Sequence, residues 1–154
     1  MSDIEEAIRL IDNLYSVEKI VSAMEKEPKY YGTEEILYSN EVHTLKMIAQ
    51  YEGMTQKELT DKMLRTKGPT SVMIKKLEKK GLIIRREDER DARVFRLYLT
   101  EKGERVHRCH LKYDEEIVVL WMRELNFSRE EIADTNNFLE KFINYVEERM
   151  RRVD

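Results

Sequence analysis

The sequence contains few of the residues that interrupt or cross-link a polypeptide chain. Its 154 residues include one cysteine, two prolines and five glycines. The single cysteine, Cys109, excludes an intramolecular disulfide and does not indicate a zinc module built on several cysteines. So few prolines and glycines do not favour long structureless linkers, and the length suffices for one sizeable core. We therefore expect a single domain, residues 1–154, that is mostly helical.

Long apolar runs and catalytic motifs are also missing from the sequence. It has no stretch of about 18 apolar residues, and residues 1–6 lack the basic and apolar regions of a signal peptide. It contains no phosphate-binding glycine loop, no Gly-x-Ser-x-Gly and no His-Glu-x-x-His. These absences predict a cytoplasmic protein that is not an enzyme, has no membrane partner and requires no cofactor.

The net charge of -3 conceals an uneven distribution along the chain. Residues 54–100 contain 13 Lys and Arg against 7 Asp and Glu, a net charge of +6. The rest of the chain contains 15 against 24 and carries -9. Because the local field governs contact with phosphates, residues 54–100 are a candidate nucleic-acid-binding module inside an acidic scaffold.

An alternating segment predicts a β-hairpin within this module. Phe95, Leu97 and Leu99 fall on one face of an extended strand, and residues 83–86 are the expected partner strand. The loop at 87–92 is too charged to bury, and cationic residues flank its tip. Such a ribbon suits a minor groove, whereas an isolated hairpin is explained more simply as a solvated one whose charges serve solubility.

The residues before the hairpin favour the DNA-binding interpretation. Thr55 and Glu58 form a capping box that opens a short helix. After a tight connection at residues 65–67, Pro69 fits the first turn of another helix, which runs to about residue 80 and stops at Gly81. Helix, turn, helix and ribbon in this order predict a winged helix-turn-helix.

The second helix of this motif has two different faces. An apolar face contains Thr70, Met73, Ile74 and Leu77, whereas lysines and small residues occupy the rest. Small residues near the start allow a close approach to a major groove, lysines farther along neutralise phosphates, and Ser71 is placed to bind a base edge or phosphate.

Further helices are predicted on both sides of the motif. Apolar residues at helical spacing begin at Ile4, and Ser39 or Asn40 caps a second helix that ends at Gly53. After the hairpin, Thr100 caps one long helix, and a second capping box at Ser128 opens the last one. Their apolar stripes suit either a bundle within one chain or packing between two copies.

Three segments resemble MarR-type transcriptional regulators: residues 77–83, Leu-Glu-Lys-Lys-Gly-Leu-Ile; Asp91 with Arg93; and residues 97–103, Leu-Tyr-Leu-Thr-Glu-Lys-Gly. The resemblance covers nearly the whole chain. It implies a sequence-specific homodimeric repressor that binds double-stranded DNA at a palindromic operator. It also implies a DNA-binding region at 37–100, flanked by helical dimerisation regions at 1–36 and 101–154.

The resemblance also assigns roles in the wing, where Arg93 would enter the minor groove and Asp91 would orient it by a salt bridge. Ala92 and Val72 depart from the family pattern, so operator preference does not transfer; Val72 is suited instead to a thymine methyl group. The alternative function is a winged-helix module that binds a protein partner. The candidate DNA-binding residues are Thr55, Lys67, Gly68, Pro69, Thr70, Ser71, Val72, Lys75, Lys76, Arg85, Arg86, Arg90, Asp91 and Arg93.

Several effectors are compatible with these residues. His43, His110 and Asp114 are similar to metal ligands of a zinc-responsive branch of the family, although two histidines hydrogen-bonded near the core are the simpler interpretation. His43 and residues 106–110 are also similar to repressors of fatty-acid synthesis, which implies an acyl chain carried by acyl carrier protein. An aromatic small molecule is a third effector, and oxidation of Cys109 a weaker one.

Overall fold

The computed structural model describes residues 2–151, which form six helices and one two-stranded sheet. The fold is mostly α with a small β-hairpin, as predicted. Met1 and residues 152–154, the outermost ends of the predicted dimerisation regions, lie outside the described residues. The elements are α1 (Asp3–Met24), α2 (Ser39–Gln50), α3 (Gln56–Lys62), α4 (Lys67–Lys79), β1 (Ile83–Glu87), β2 (Phe95–Leu99), α5 (Glu101–Leu125) and α6 (Arg129–Arg151).

The chain comprises two compact units, one ending at Leu111 and one beginning at Lys112. The sequence motifs predicted other boundaries, namely a DNA-binding region at 37–100 between dimerisation regions at 1–36 and 101–154. That division stays a prediction.

The core of the first unit lies among α2, α3, α4 and the base of the hairpin. Leu45, Ile48, Leu59 and Leu97 are completely or almost completely buried there, and each contributes about 1.5–3 kcal/mol by leaving water. The inward face of α4 is confirmed, since its buried residues are Thr70, Met73, Ile74 and Leu77.

Local hydrogen bonds confirm the predicted starts of α3, α5 and α6. The Thr55 hydroxyl accepts the Glu58 N–H at 3.2 Å, and the Thr55 N–H donates to the Glu58 carboxylate at 2.7 Å. The Thr100 hydroxyl accepts the Gly103 N–H at 3.1 Å. Ser128 and Glu131 form the second capping box.

Both predicted ends of α2 need correction. The N-cap is Tyr38 rather than Ser39 or Asn40, and the Tyr38 N–H donates to the Glu41 carboxylate at 3.0 Å. The helix ends at Gln50, three residues before Gly53. Gly53 instead occupies a turn with φ +77°, a left-handed conformation that favours glycine.

The strands of the hairpin are antiparallel, with Ile83 opposite Leu99 and Glu87 opposite Phe95. The other edge of β2 bonds to the turn before α3: the Leu97 N–H donates to the Met54 carbonyl, and the Gly53 N–H donates to the Leu97 carbonyl. Leu97 is buried, whereas Phe95 is 45% exposed. The predicted apolar face of β2 is therefore buried only at the base of the ribbon.

Several helices expose large apolar side chains. In the first unit, α1 has no buried residue and exposes Ile4, Ile8 and Ile20. In the second unit, Trp121 and Phe142 are exposed. These faces are left uncovered by the single chain. Among the described residues, no helix is both long and apolar enough to cross a membrane.

Candidate nucleic-acid interface

The start of α4 is open to solvent. Lys67, Gly68, Pro69 and Val72 are exposed, and Ser71 is half-buried. The N-cap residue, Thr66, makes no side-chain cap hydrogen bond. Backbone N–H groups of the first helical turn have no intrahelical partner, so the positive end of the helix dipole is presented to solvent. An anionic phosphate is a suitable partner for this end of the helix.

Two of the predicted DNA-binding residues make hydrogen bonds within the fold. Thr70 is only 2% exposed, and its hydroxyl donates to the Thr66 carbonyl at 3.0 Å. This corrects the assignment of Thr70, which lies in the core. The Thr55 hydroxyl both accepts from the Glu58 N–H and donates to the Glu58 carboxylate, so the capping box already uses it.

Two neighbouring lysines of α4, Lys75 and Lys76, have different surroundings. Lys75 is exposed, as expected for a phosphate contact. The Lys76 ammonium lies 3.4 Å from the Glu41 carboxylate and 5.1 Å from the centre of the Tyr38 ring. Sequence reasoning missed the role of Glu41, although its spacing with Leu45 and Ile48 puts it on the buried stripe of α2.

The wing presents Arg93 at its tip. The Arg93 guanidinium donates two hydrogen bonds of 3.0 Å to the Asp91 carboxylate, and its side chain remains 89% exposed. These bonds lower the pKa of Asp91, because the charged form of the carboxyl is the one that accepts them. The salt bridge implied by the family resemblance is therefore present.

The other wing arginines differ in their contacts. Arg85 donates to Glu78 at 2.7 Å, and the Arg86 guanidinium lies 4.8 Å from the centre of the Tyr98 ring. Arg90 is exposed, and its N–H donates to Asp88 at 2.9 Å. Arg96, which sequence reasoning did not select, reaches from β2 to both Asp88 and the Gly53 carbonyl.

A groove of about 550 Å³ joins the two candidate DNA-binding elements. It brings Lys67 of α4 together with Arg93 of the wing, and Phe95 supplies apolar surface between them. The start of α4 and the wing tip therefore border one concave surface. Residues that line it include Thr55, Thr60, Lys67, Arg85, Arg93 and Phe95.

Two of the candidate effector residues, His43 and His110, form an aromatic cluster with Tyr31. The His43 and His110 rings lie 5.3 Å apart, and Tyr31 meets His110 edge-on at 5.6 Å. His43 Nδ1 is 3.8 Å from a Glu25 carboxylate oxygen. Within residues 2–151, no group of three or more His, Cys, Asp and Glu side chains is placed to hold a metal ion. Zinc at His43, His110 and Asp114 thus gains no support.

A short capped helix, a second helix with an open N terminus and a basic hairpin together define a winged helix-turn-helix domain, a class that binds DNA. Residues 37–95 match the MarR family. The chain is 29% identical over 120 residues to the HTH-type transcriptional regulator SarZ of Staphylococcus aureus, with 78% of each chain covered.

Solved structures agree with this match. FabT of Streptococcus pneumoniae, whose crystal structure is a complex with DNA, is 27% identical; the TM-score is 0.64, covering 94% of this chain and 96% of that chain. A MarR transcriptional regulator from Methanosarcina mazei Go1 is also 27% identical, with a TM-score of 0.68, covering 93% of this chain and 98% of that chain. Residues 37–95 therefore form a MarR-type region, and the chain is a DNA-binding transcriptional regulator.

Proposed function

We propose that this regulator is a homodimeric repressor that covers a palindromic operator, with α4 in the major groove and the wing in the adjacent minor groove. The observation that carries the proposal is the shared groove. Lys67 and Arg93 line the same concave surface, so the helix start and the wing tip face the same side. A duplex that lies across this side meets both elements at once.

The chemistry of each element suits its groove. Gly68 and Pro69 are small and exposed, so the start of α4 approaches base edges closely. Lys75, about two turns farther along the helix, reaches a phosphate. The wing carries Arg93, and a narrow minor groove has the negative potential that attracts an arginine. Asp91 holds the guanidinium in one orientation before DNA arrives.

The apolar faces of the helices outside this module support the dimer. On α1, Ile8 and Ile20 are more than half exposed. In the second unit, Trp121 is 51% exposed and Phe142 is 40% exposed. Burying such faces against a second copy removes apolar surface from water. A two-fold dimer then presents two recognition helices to half-sites about 34 Å apart, which is why the operator is palindromic.

The groove between α4 and the wing also supports an aromatic effector. Phe95 offers an apolar wall, and Lys67, Arg85 and Arg93 offer cations, so a small aromatic carboxylate matches its lining. Such a ligand competes with phosphate for the same cations, and benzoate should weaken operator binding. Binding of an acyl chain from acyl carrier protein stays a prediction to be tested on the same operator.

Fluorescence anisotropy tests the proposal directly. A labelled duplex from the region flanking the gene is titrated with protein at two salt concentrations, beside a scrambled duplex of equal length. We expect saturable, sequence-selective binding, with log affinity falling by about 0.9 per phosphate contact for each tenfold rise in salt. Equally weak binding to both duplexes would favour the alternative, a winged helix that recognises a protein partner.

A further inference from the structure

Arg96 connects the wing to the helix-turn-helix scaffold. One terminal nitrogen, Nη1, donates to the Gly53 carbonyl at 2.8 Å, and Nε donates to the Asp88 carboxylate. Gly53 is a buried residue of the turn between α2 and α3, whereas Asp88 lies where β1 enters the wing loop. The Asp88 side chain is only 11% exposed. The Arg96 guanidinium therefore links the turn between α2 and α3 to the start of the wing loop.

Asp88 in turn organises the loop that forms the tip. Its carboxylate accepts the backbone N–H groups of Arg90 at 2.9 Å and Asp91 at 3.2 Å. The Asp88 N–H donates to the Val94 carbonyl at 2.9 Å and closes the loop. These contacts lower the pKa of Asp88, chiefly through the Arg90 N–H and then through the Arg96 side chain. The carboxylate thus stays charged and paired with Arg96 at neutral pH.

The hydrogen bonds continue to the residue proposed to enter the minor groove. The N–H of Asp91 is held by Asp88, and the carboxylate of Asp91 holds the Arg93 guanidinium through two bonds of 3.0 Å. A continuous path therefore runs from the Gly53 carbonyl through Arg96, Asp88 and Asp91 to Arg93. Beyond Arg96 the ribbon consists of two strands alone, and an isolated pair of strands is only marginally stable.

We propose that Arg96 and Asp88 form a strut that sets the direction of the wing tip, so that Arg96 is a positioning residue for DNA binding and acts through Arg93. This inference rests on the proposed function of the wing. It separates two roles among neighbouring arginines: Arg93 contacts DNA, and Arg96 determines where Arg93 points.

A charge-matched pair of variants of the full chain tests the strut. Asp88→Asn and Glu89→Gln each remove one negative charge from the wing loop, and simple electrostatics predicts tighter DNA binding for both. The strut instead predicts that Asp88→Asn weakens operator binding about tenfold, whereas Glu89→Gln leaves it unchanged or tighter. Equal or tighter binding by Asp88→Asn overturns the proposal. Thermal unfolding of each variant verifies that it is folded.

A double-mutant cycle tests the path to Arg93. Arg96→Met alone should weaken operator binding about as much as Arg93→Ala, and the double variant should bind no more weakly than Arg93→Ala. Combined with Lys75→Ala, the effect of Arg96→Met should persist in full. If the Arg96 and Arg93 effects multiply, Arg96 contacts DNA itself and the strut fails while the wing function stands. If Arg93→Ala has no effect, the strut and the proposed minor-groove contact of the wing both fail.

Discussion

The carboxylate of Glu41, which is completely buried, lies 2.7 Å from the ammonium of Lys80 at the end of α4. Lys80 also donates to the Ile36 carbonyl at 2.9 Å, and Lys76 approaches the second carboxylate oxygen at 3.4 Å. The recognition helix is therefore joined at its C-terminal end to the start of α2 by charge as well as by apolar packing. Its N-terminal end is left open for a ligand.

Lys80→Met should destabilise the protein by about 3 kcal/mol, because it leaves a buried carboxylate with a more distant and more exposed partner. Lys79→Met is the matched control, since Lys79 is exposed on the same turn; we expect a change within about 0.5 kcal/mol. Urea unfolding measures both free energies. Equal values for the two variants would show that Lys76 alone neutralises Glu41.

Gly103→Ala should lower the free energy of unfolding by about 1–3 kcal/mol. A Cβ atom at this position would lie 2.0 Å from the Leu82 carbonyl oxygen, which is backbone and cannot rotate away. Gly68→Ala is the contrasting variant, because a Cβ there meets nothing within 4 Å. It should leave stability unchanged or raised and should weaken DNA binding, since the methyl group lies on the surface that approaches the groove. Urea unfolding and anisotropy separate the two effects.

Glu58→Ala should cost about 1 kcal/mol at neutral pH through loss of the capping box. Hydrogen bonds, first from the Thr55 N–H, lower the pKa of Glu58 below its ordinary value of 4.5. A lowered folded-state pKa stabilises the protein above the unfolded-state value, and this contribution disappears as the pH falls through the folded-state value. The difference between wild type and variant should therefore shrink below pH 4.5 in urea unfolding. Glu52→Ala, which removes an exposed carboxylate, is the control and should change the free energy of unfolding at neutral pH by less than about 0.5 kcal/mol.

Lys75→Ala should lower the slope of log affinity against log salt by about one and should weaken binding to all duplexes alike. Arg93→Ala should cost about 1–3 kcal/mol on the operator, and less on a scrambled duplex, because the minor-groove contact depends on sequence. Arg105→Ala removes an exposed cation from α5 and is the control for net charge. If the slope for Lys75→Ala equals that of wild type, Lys75 does not reach a phosphate.

Val72 should read a thymine methyl group, because its side chain is 67% exposed on the outer face of α4. Replacing each operator thymine in turn by deoxyuridine removes only that methyl group. Wild type should lose affinity severalfold at one position per half-site, and Val72→Ala should bind both duplexes equally. Uniform tolerance of deoxyuridine by the wild-type protein would assign Val72 to another role.

Features that depend on neighbours along the chain were predicted well from sequence. The capping boxes at Thr55 and Ser128 join residues three apart, so the residue types alone indicate the hydrogen bonds. The inward face of α4 follows from helical spacing. The order of helices and strands, and the resemblance to MarR-type regulators, led to the class of fold.

The tertiary structure decided which charged and polar groups remain available for DNA. Glu41 and Lys80 are 39 positions apart, and Arg96 and Gly53 are 43 positions apart, so spacing alone does not reveal these contacts. Sequence therefore determined the winged helix-turn-helix and its basic surface, because periodicity and capping are local properties. Folding paired Lys76 with Glu41, buried Thr70 in the core and brought Arg96 to the Gly53 carbonyl, because burial and pairing depend on which distant segments meet.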